Sequence, residues 1–344
     1  VPTAPVRFPS PLRPGDTVAV TAPSSGVRDS MWGRLEAAVD SLRRRGYDVR
    51  VGAQIHGGGV TGSAEARAAE LTAMLSDPDI AAVVPPWGGE LAVQVLDHLD
   101  WTALAAADPT WLVGFSDLTT LMLPLATRLG WASLHGANLM DSPYEPVAGL
   151  LHWTEVAAAT GPVRQTSPGR FRTSGWDDYT RDPGVTSMSL EASGGWQLVG
   201  ASSLDVSGRL IGGCVDVLSP IAGTAYADVP GFGRAHAEDG LVVYLEAAEE
   251  SAYAVCRMLH GLRMAGWFEH ARAILIGRTG APDAPDLSQR EAVLDALGGV
   301  GVPIVLDVEC GHVQPYAALV NGALARVVVD GERREIVQEW SADA

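Results

Sequence analysis

In the stretch Thr-Trp-Leu-Val-Gly-Phe-Ser-Asp-Leu-Thr-Thr-Leu-Met-Leu-Pro-Leu, an apolar run ends at Gly114-Phe115-Ser116-Asp117, and Leu118, Leu121, Met122 and Leu125 then fall at helical spacing. A strand that turns tightly into a helix carries a serine hydroxyl beyond the sheet edge, where the helix N-terminus favours negative charge. Ser116 is therefore a candidate nucleophile, and the N–H of Asp117 would point toward a developing oxyanion. The segment is not G-x-S-x-G, because Leu118 stands in place of the second glycine. Taken alone, it also reads as an N-cap serine followed by a first-turn aspartate.

Three more segments offer matching chemistry. Trp87-Gly88-Gly89-Glu90 separates a strand-like run from an amphipathic stretch, and paired glycines let a backbone approach a ligand closely enough to donate a second oxyanion N–H. Glu246 closes the run Leu-Val-Val-Tyr-Leu-Glu, with Glu249 and Glu250 as near competitors; a carboxylate at the C-terminal end of a strand in an open α/β sheet sits where ligands bind. His312 follows Gly311 just beyond the run Pro-Ile-Val-Leu-Asp-Val, placed to act as a base. His135, in Ser-Leu-His-Gly-Ala-Asn, ends another strand-like run and is expected to line the same cleft as a binding group. Each segment has an ordinary reading too: a plain connecting loop, a first-turn glutamate, an isolated histidine. No H-E-x-x-H or close ligand spacing indicates a metal, and no G-x-G-x-x-G follows a strand.

Composition narrows the chemistry further. All 24 basic residues are arginine, which excludes a P-loop, a pyridoxal or Schiff-base enzyme, a Ser–Lys hydrolase and a protein kinase, all of which need a lysine amine. The net charge of −17 opposes nucleic-acid polymers and anionic membranes. No apolar run is long enough for a membrane span, and the first residues show no basic-then-apolar secretory pattern. Cys214, Cys256 and Cys310 are scattered, as expected of reduced thiols in a cytoplasmic protein.

The elements that must position these groups alternate as in a parallel α/β layer. Strands are expected over 17–22, 47–51, 80–84, 111–114 and 132–135, with helices around 35–42, over 64–75, from the Gly-Gly loop to about His98, and after Ser116. Residues 141–207 have weak periodicity and many Pro, Gly, Ser, Thr and Trp residues, suiting a connection with an irregular insertion. Alternation then resumes: strands over 241–245, 273–276 and 304–308, helices near 252–259 and 287–297, and a closing hairpin about Asp330-Gly331. The predicted division is an N-terminal α/β unit over 1–150, a connecting insertion over 151–207 and a C-terminal unit over 208–344.

In combination, these segments resemble the LD-carboxypeptidase and microcin C immunity peptidase family of serine peptidases. The likeness is carried by Leu12–Ser25, the Gly-Gly loop, Val-Gly-Phe-Ser-Asp, Ser-Leu-His-Gly-Ala-Asn, Gly-Arg-Leu-Ile-Gly-Gly-Cys-Val-Asp, Tyr-Leu-Glu-Ala-Ala-Glu-Glu-Ser and Glu-Cys-Gly-His-Val. The resemblance implies an α/β fold with an N-terminal parallel sheet, a C-terminal unit with its own sheet, and a site between them. It implies Ser116 as nucleophile, His312 as base, Glu246 as the triad acid, and N–H groups of Gly89 and Asp117 as the oxyanion hole. It also implies a homodimer, a small peptide-like substrate, and no metal or organic cofactor. Muropeptide enzymes of the family usually have Arg-Gly-Gly where this chain has Trp87-Gly88-Gly89. The 141–207 segment is also long and holds Trp153, Trp176, Tyr179 and Trp196. Both departures favour the immunity branch, which cleaves aminoacyl-nucleotide analogues. Trp87, Gly88, Trp176 and Trp196 are accordingly expected at the substrate. The alternatives are a muropeptide LD-carboxypeptidase and a non-catalytic binding protein on the same fold.

Overall fold

The computed structural model describes residues 5–341; the first four residues of the N-terminal stretch and the last three lie outside them. A six-stranded sheet has the order Leu319–Asn321, Ser133–His135, Trp111–Gly114, Ile80–Val83, Thr17–Val20, Asp48–Val51. Its five strands from the N-terminal half run parallel. Parallel neighbours require crossovers, here Trp32–Arg44, Ala64–Leu75, Trp101–Ala106 and Thr119–Leu129. The inner strands read as apolar runs, as expected of a parallel sheet covered on both faces: Val18 to Val20 and Trp111 to Val113 are wholly buried, whereas the edge strand Asp48–Val51 is largely exposed.

The second sheet has eight strands: Val163–Thr166, Arg333–Glu339, Leu324–Asp330, Leu204–Cys214, Leu241–Glu246, Ala271–Gly277, Ile304–Val308 and Gln197–Val199. The four from Leu204–Cys214 to Ile304–Val308 are parallel and the flanking strands antiparallel. The fold is thus mixed α/β with a parallel N-terminal sheet and a second, C-terminal sheet.

Three differences from the sequence reading bear on how the site is positioned. Between the Gly-Gly loop and His98 there is a 3₁₀ turn, Ala92–Val95, in place of a helix. The N–H of Ala92 donates to the Asp117 carboxylate, and Asp100 starts a separate helix by accepting from Thr102 and Ala103. Within 141–207, Val163–Thr166 and Gln197–Val199 form the two edges of the eight-stranded sheet, and Trp153–Ala157 is a helix with a His152/Glu155 capping box. Finally, Leu319–Asn321 crosses back to the N-terminal sheet, pairing antiparallel with Ser133–His135.

Candidate active site

Ser116 follows the buried strand Trp111–Gly114 and begins the turn into Thr119–Leu129. Its φ is +66°, and Asp307 is the one other non-glycine residue with positive φ among the described residues. Such a backbone is strained for an L-residue and must be held in place. Phe115 N–H donates to Asn138 Oδ1 at 3.1 Å, anchoring the residue before the turn. The Asp117 carboxylate accepts from Ser24 Oγ at 2.5 Å and Ala92 N–H at 2.7 Å, tying the two neighbouring loops to it. Gly88 packs so tightly here that a Cβ would lie 2.8 Å from Ser116 Cβ and 2.9 Å from Asp117 N. The Gly-Gly loop and the Asp117 amide therefore meet beside the serine hydroxyl.

Glu246 and His312 arrive from the other sheet. Glu246 ends the fully buried strand Leu241–Glu246, while His312 sits on the loop after Ile304–Val308. With Nδ1 protonated, His312 donates to Glu246 Oε2 at 2.8 Å, and Ser116 Oγ donates to His312 Nε2 at 3.0 Å. Gly311 permits the approach: its φ is +97°, and a Cβ there would come within 2.5 Å of Glu246 Oε2. Burial pulls the His312 pKa down, but the charge and hydrogen bond of Glu246 outweigh it, leaving the pKa raised. Burial pushes the Glu246 pKa up, yet His312 and His135 favour the carboxylate and hold it below its ordinary value.

His135 does not line the cleft. It is 1% exposed, with Nε2 at 3.9 Å from Glu246 Oε1, so it faces the rear of the Glu246 carboxylate. Trp196 does not reach the cleft either. It is buried, its indole N–H bonds the Glu309 carboxylate, and its strand neighbours make it core. Trp87 and Trp176 are at the cleft, which is a cavity of ≈ 410 Å³ also lined by Gly88, Gly89, Ser116 and His312. Trp87 Nε1 donates to Gly26 O. Trp176 is 47% exposed and stacks on Phe115 with ring centroids 6.5 Å apart. Sequence reasoning missed Asp141 and Tyr179 on the same wall. Tyr179 O–H donates to Asp141 Oδ1 at 3.0 Å. Burial pushes the Asp141 carboxyl up to about 6 against the Tyr179 hydrogen bond and the Arg34 charge. The one signal for them was the Tyr in the tryptophan-rich stretch; an aspartate after Asn-Leu-Met carries none.

Residues 18–136 match the LD-carboxypeptidase N-terminal domain and residues 207–327 the LD-carboxypeptidase C-terminal domain, both of peptidase family S66. The chain belongs to this peptidase family. A protein of Streptomyces coelicolor, provisionally named a carboxypeptidase, is 33% identical over 94% of this chain and 93% of its own length. The murein tetrapeptide carboxypeptidase of Pseudomonas aeruginosa is 27% identical, covering 92% and 94%. The microcin C7 self-immunity protein MccF of Escherichia coli is 22% identical, covering 96% of each. The structure of MccF in complex with aspartyl sulfamoyl adenosine shares the fold, with a TM-score of 0.81 at 21% identity over 98% of this chain and 99% of that one.

Proposed function

We propose that this chain is a serine peptidase that hydrolyses an amide bond near the C-terminal end of a peptide-like substrate, with Ser116, His312 and Glu246 as its triad. The observation that carries the reading is the unbroken hydrogen-bond chain from Ser116 Oγ through the His312 ring to Glu246. His312 Nε2 takes the serine proton as Oγ attacks the carbonyl carbon. The N–H groups of Gly89 and Asp117 receive the oxyanion, and the imidazolium returns the proton to the leaving amine. Water, deprotonated by the same imidazole, then releases the acyl group. Glu246 fixes the tautomer and stabilises the cation.

The favoured substrate is an aminoacyl-nucleotide of the microcin C type. Trp176 supports this, because an exposed indole at the cavity offers a stacking face to a planar leaving group. A muropeptide LD-carboxypeptidase is the second reading, supported by the 27% identity to a murein tetrapeptide carboxypeptidase. A hydrolysis panel of aminoacyl-sulfamoyl nucleotides and tetrapeptide muropeptides separates the two. On whichever is cleaved, Ser116→Ala should lower kcat by about 10⁴-fold or more without changing Tm. Retention of over a tenth of the activity removes Ser116 from the mechanism.

A further inference from the structure

Cys214 has no part in the chemistry above, yet it sits against the triad. Cys214 and Glu246 are register partners at the ends of adjacent parallel strands, and each is 1% exposed. Cys214 Sγ, a Glu246 carboxylate oxygen and a His312 ring nitrogen all lie within 4.8 Å of one another. Glu246 Oε2 is used by His312, and Oε1 is buried without a hydrogen bond, its neighbour being His135 Nε2 at 3.9 Å. A buried carboxylate short of full hydrogen bonding is stabilised by added positive charge. Thiolate, imidazole and carboxylate are the donor set of a tetrahedral site for zinc and similar thiophilic ions.

The approach to this trio favours a cation. The cavity lined by Ser116, Cys214 and His312 is also lined by Glu90, Asp117, Asp216, Glu249 and Glu250, with no arginine among its lining residues. Acid groups around a concave wall concentrate positive ions there. Asp216 Oδ2 lies 3.5 Å from Cys214 Sγ, near enough to lend a further oxygen.

We propose that Cys214, Glu246 and His312 form an inhibitory site for a thiophilic divalent cation such as Zn²⁺. As regulation of the triad, this rests on the peptidase reading. Uptake replaces the thiol proton, which leaves to solvent, with a metal–sulfur bond. The imidazole stays neutral and loses its base function whichever nitrogen ligates. Ligation through Nε2 occupies the lone pair that accepts the Ser116 proton; ligation through Nδ1 moves the remaining ring proton onto Nε2.

A second trio, Cys256, His260 and Asp295, also falls within 4.8 Å and would confuse a metal titration. There His260 Nδ1 already meets the Arg263 guanidinium, whose charge opposes a cation. The test therefore uses a Cys256→Ser background. EDTA-treated protein is titrated with Cd²⁺ while sulfur-to-metal charge-transfer absorption is recorded, and fluorophosphonate labelling of Ser116 is timed with and without Zn²⁺. The Cys256→Ser protein should show the absorption at one equivalent of Cd²⁺, and adding Cys214→Ser should abolish it. Zn²⁺ should slow labelling, with Cys214→Ser raising the half-effective concentration at least ~10-fold. Absence of the band, its persistence without Cys214, or equal slowing in both proteins overturns the proposal. If Ser116 is not labelled even without metal, the peptidase reading fails on its own, and the absorption still decides whether the site binds the ion.

Discussion

At the scale of single residues, His312 is caught between opposing effects. Burial disfavours its cation, while the Glu246 charge and hydrogen bond favour it and prevail. In the proposed mechanism neutral imidazole is the active form, so kcat/KM should fall as pH drops through a value above ~6.5, the ordinary imidazole pKa. Glu246→Gln removes the favourable charge and leaves the burial. The acid limb should then move below that of the wild type, and kcat should fall about 10⁴-fold. A wild-type limb at or below the ordinary value, measured on a chemistry-limited substrate, contradicts the assignment. The same pair sets stability in opposite senses. Glu246, with a depressed folded pKa, contributes stability that is present above its unfolded value and lost as pH falls through the folded one. His312, with a raised folded pKa, contributes stability present below its unfolded value and lost as pH rises through the folded one.

At the scale of elements, local pattern revealed most of what carries the site. The apolar run before Ser116, the strand ending at Glu246 and the Gly-His loop are each written within a few neighbouring residues, and the strands and turns they imply are present. Long-range contacts were not legible. Gln197–Val199 is too short to announce itself, and becomes an edge strand only by pairing with Ile304–Val308. The depth of His135 depends on which strands flank it, and two tryptophans in one irregular stretch look alike until one is buried. Their separation gives a contrast. Trp196→Ala should lower stability by about 3–5 kcal/mol through the cavity it leaves. Trp176→Ala should leave Tm unchanged and raise KM for a nucleotide-bearing substrate by one to two orders of magnitude, as expected for ~1–3 kcal/mol of stacking. Equal losses of stability in both variants would make Trp176 a core residue too. Gly311→Ala tests the loop: with a Cβ crowding Glu246, displacement of His312 should cost roughly 10²-fold in kcat, and an unchanged kcat would show that the close approach is dispensable.

At the scale of the whole molecule, the proposed triad works only if two sheets keep a fixed relation, since Ser116 belongs to one and Glu246 and His312 to the other. One apolar cluster runs through both, joining Val18 and Leu121 to Leu245 and Ile274. Apolar packing alone resists sliding weakly, whereas directional bonds specify register. Two such links are present. Cys214 N–H donates to Thr119 Oγ1, and the Thr119 hydroxyl donates to Ser116 O at 2.8 Å, so the strand beside Glu246 is fastened to the Ser116 turn. Asn321, on the strand that crosses back, accepts from Tyr244 O–H at 2.9 Å and donates to Ser133 Oγ at 3.2 Å. Tyr244 lies on the Glu246 strand and Ser133 on the neighbour of the strand that leads into Ser116, so one buried amide bridges the two halves of the proposed triad. Asn321→Ala strands two buried hydroxyl groups and should cost about 1–3 kcal/mol. At a temperature where the variant remains folded, kcat should fall while KM holds, because the serine–imidazole distance changes and the substrate walls do not. A variant with lowered Tm but wild-type kcat would show that Asn321 supports the fold without aligning the triad.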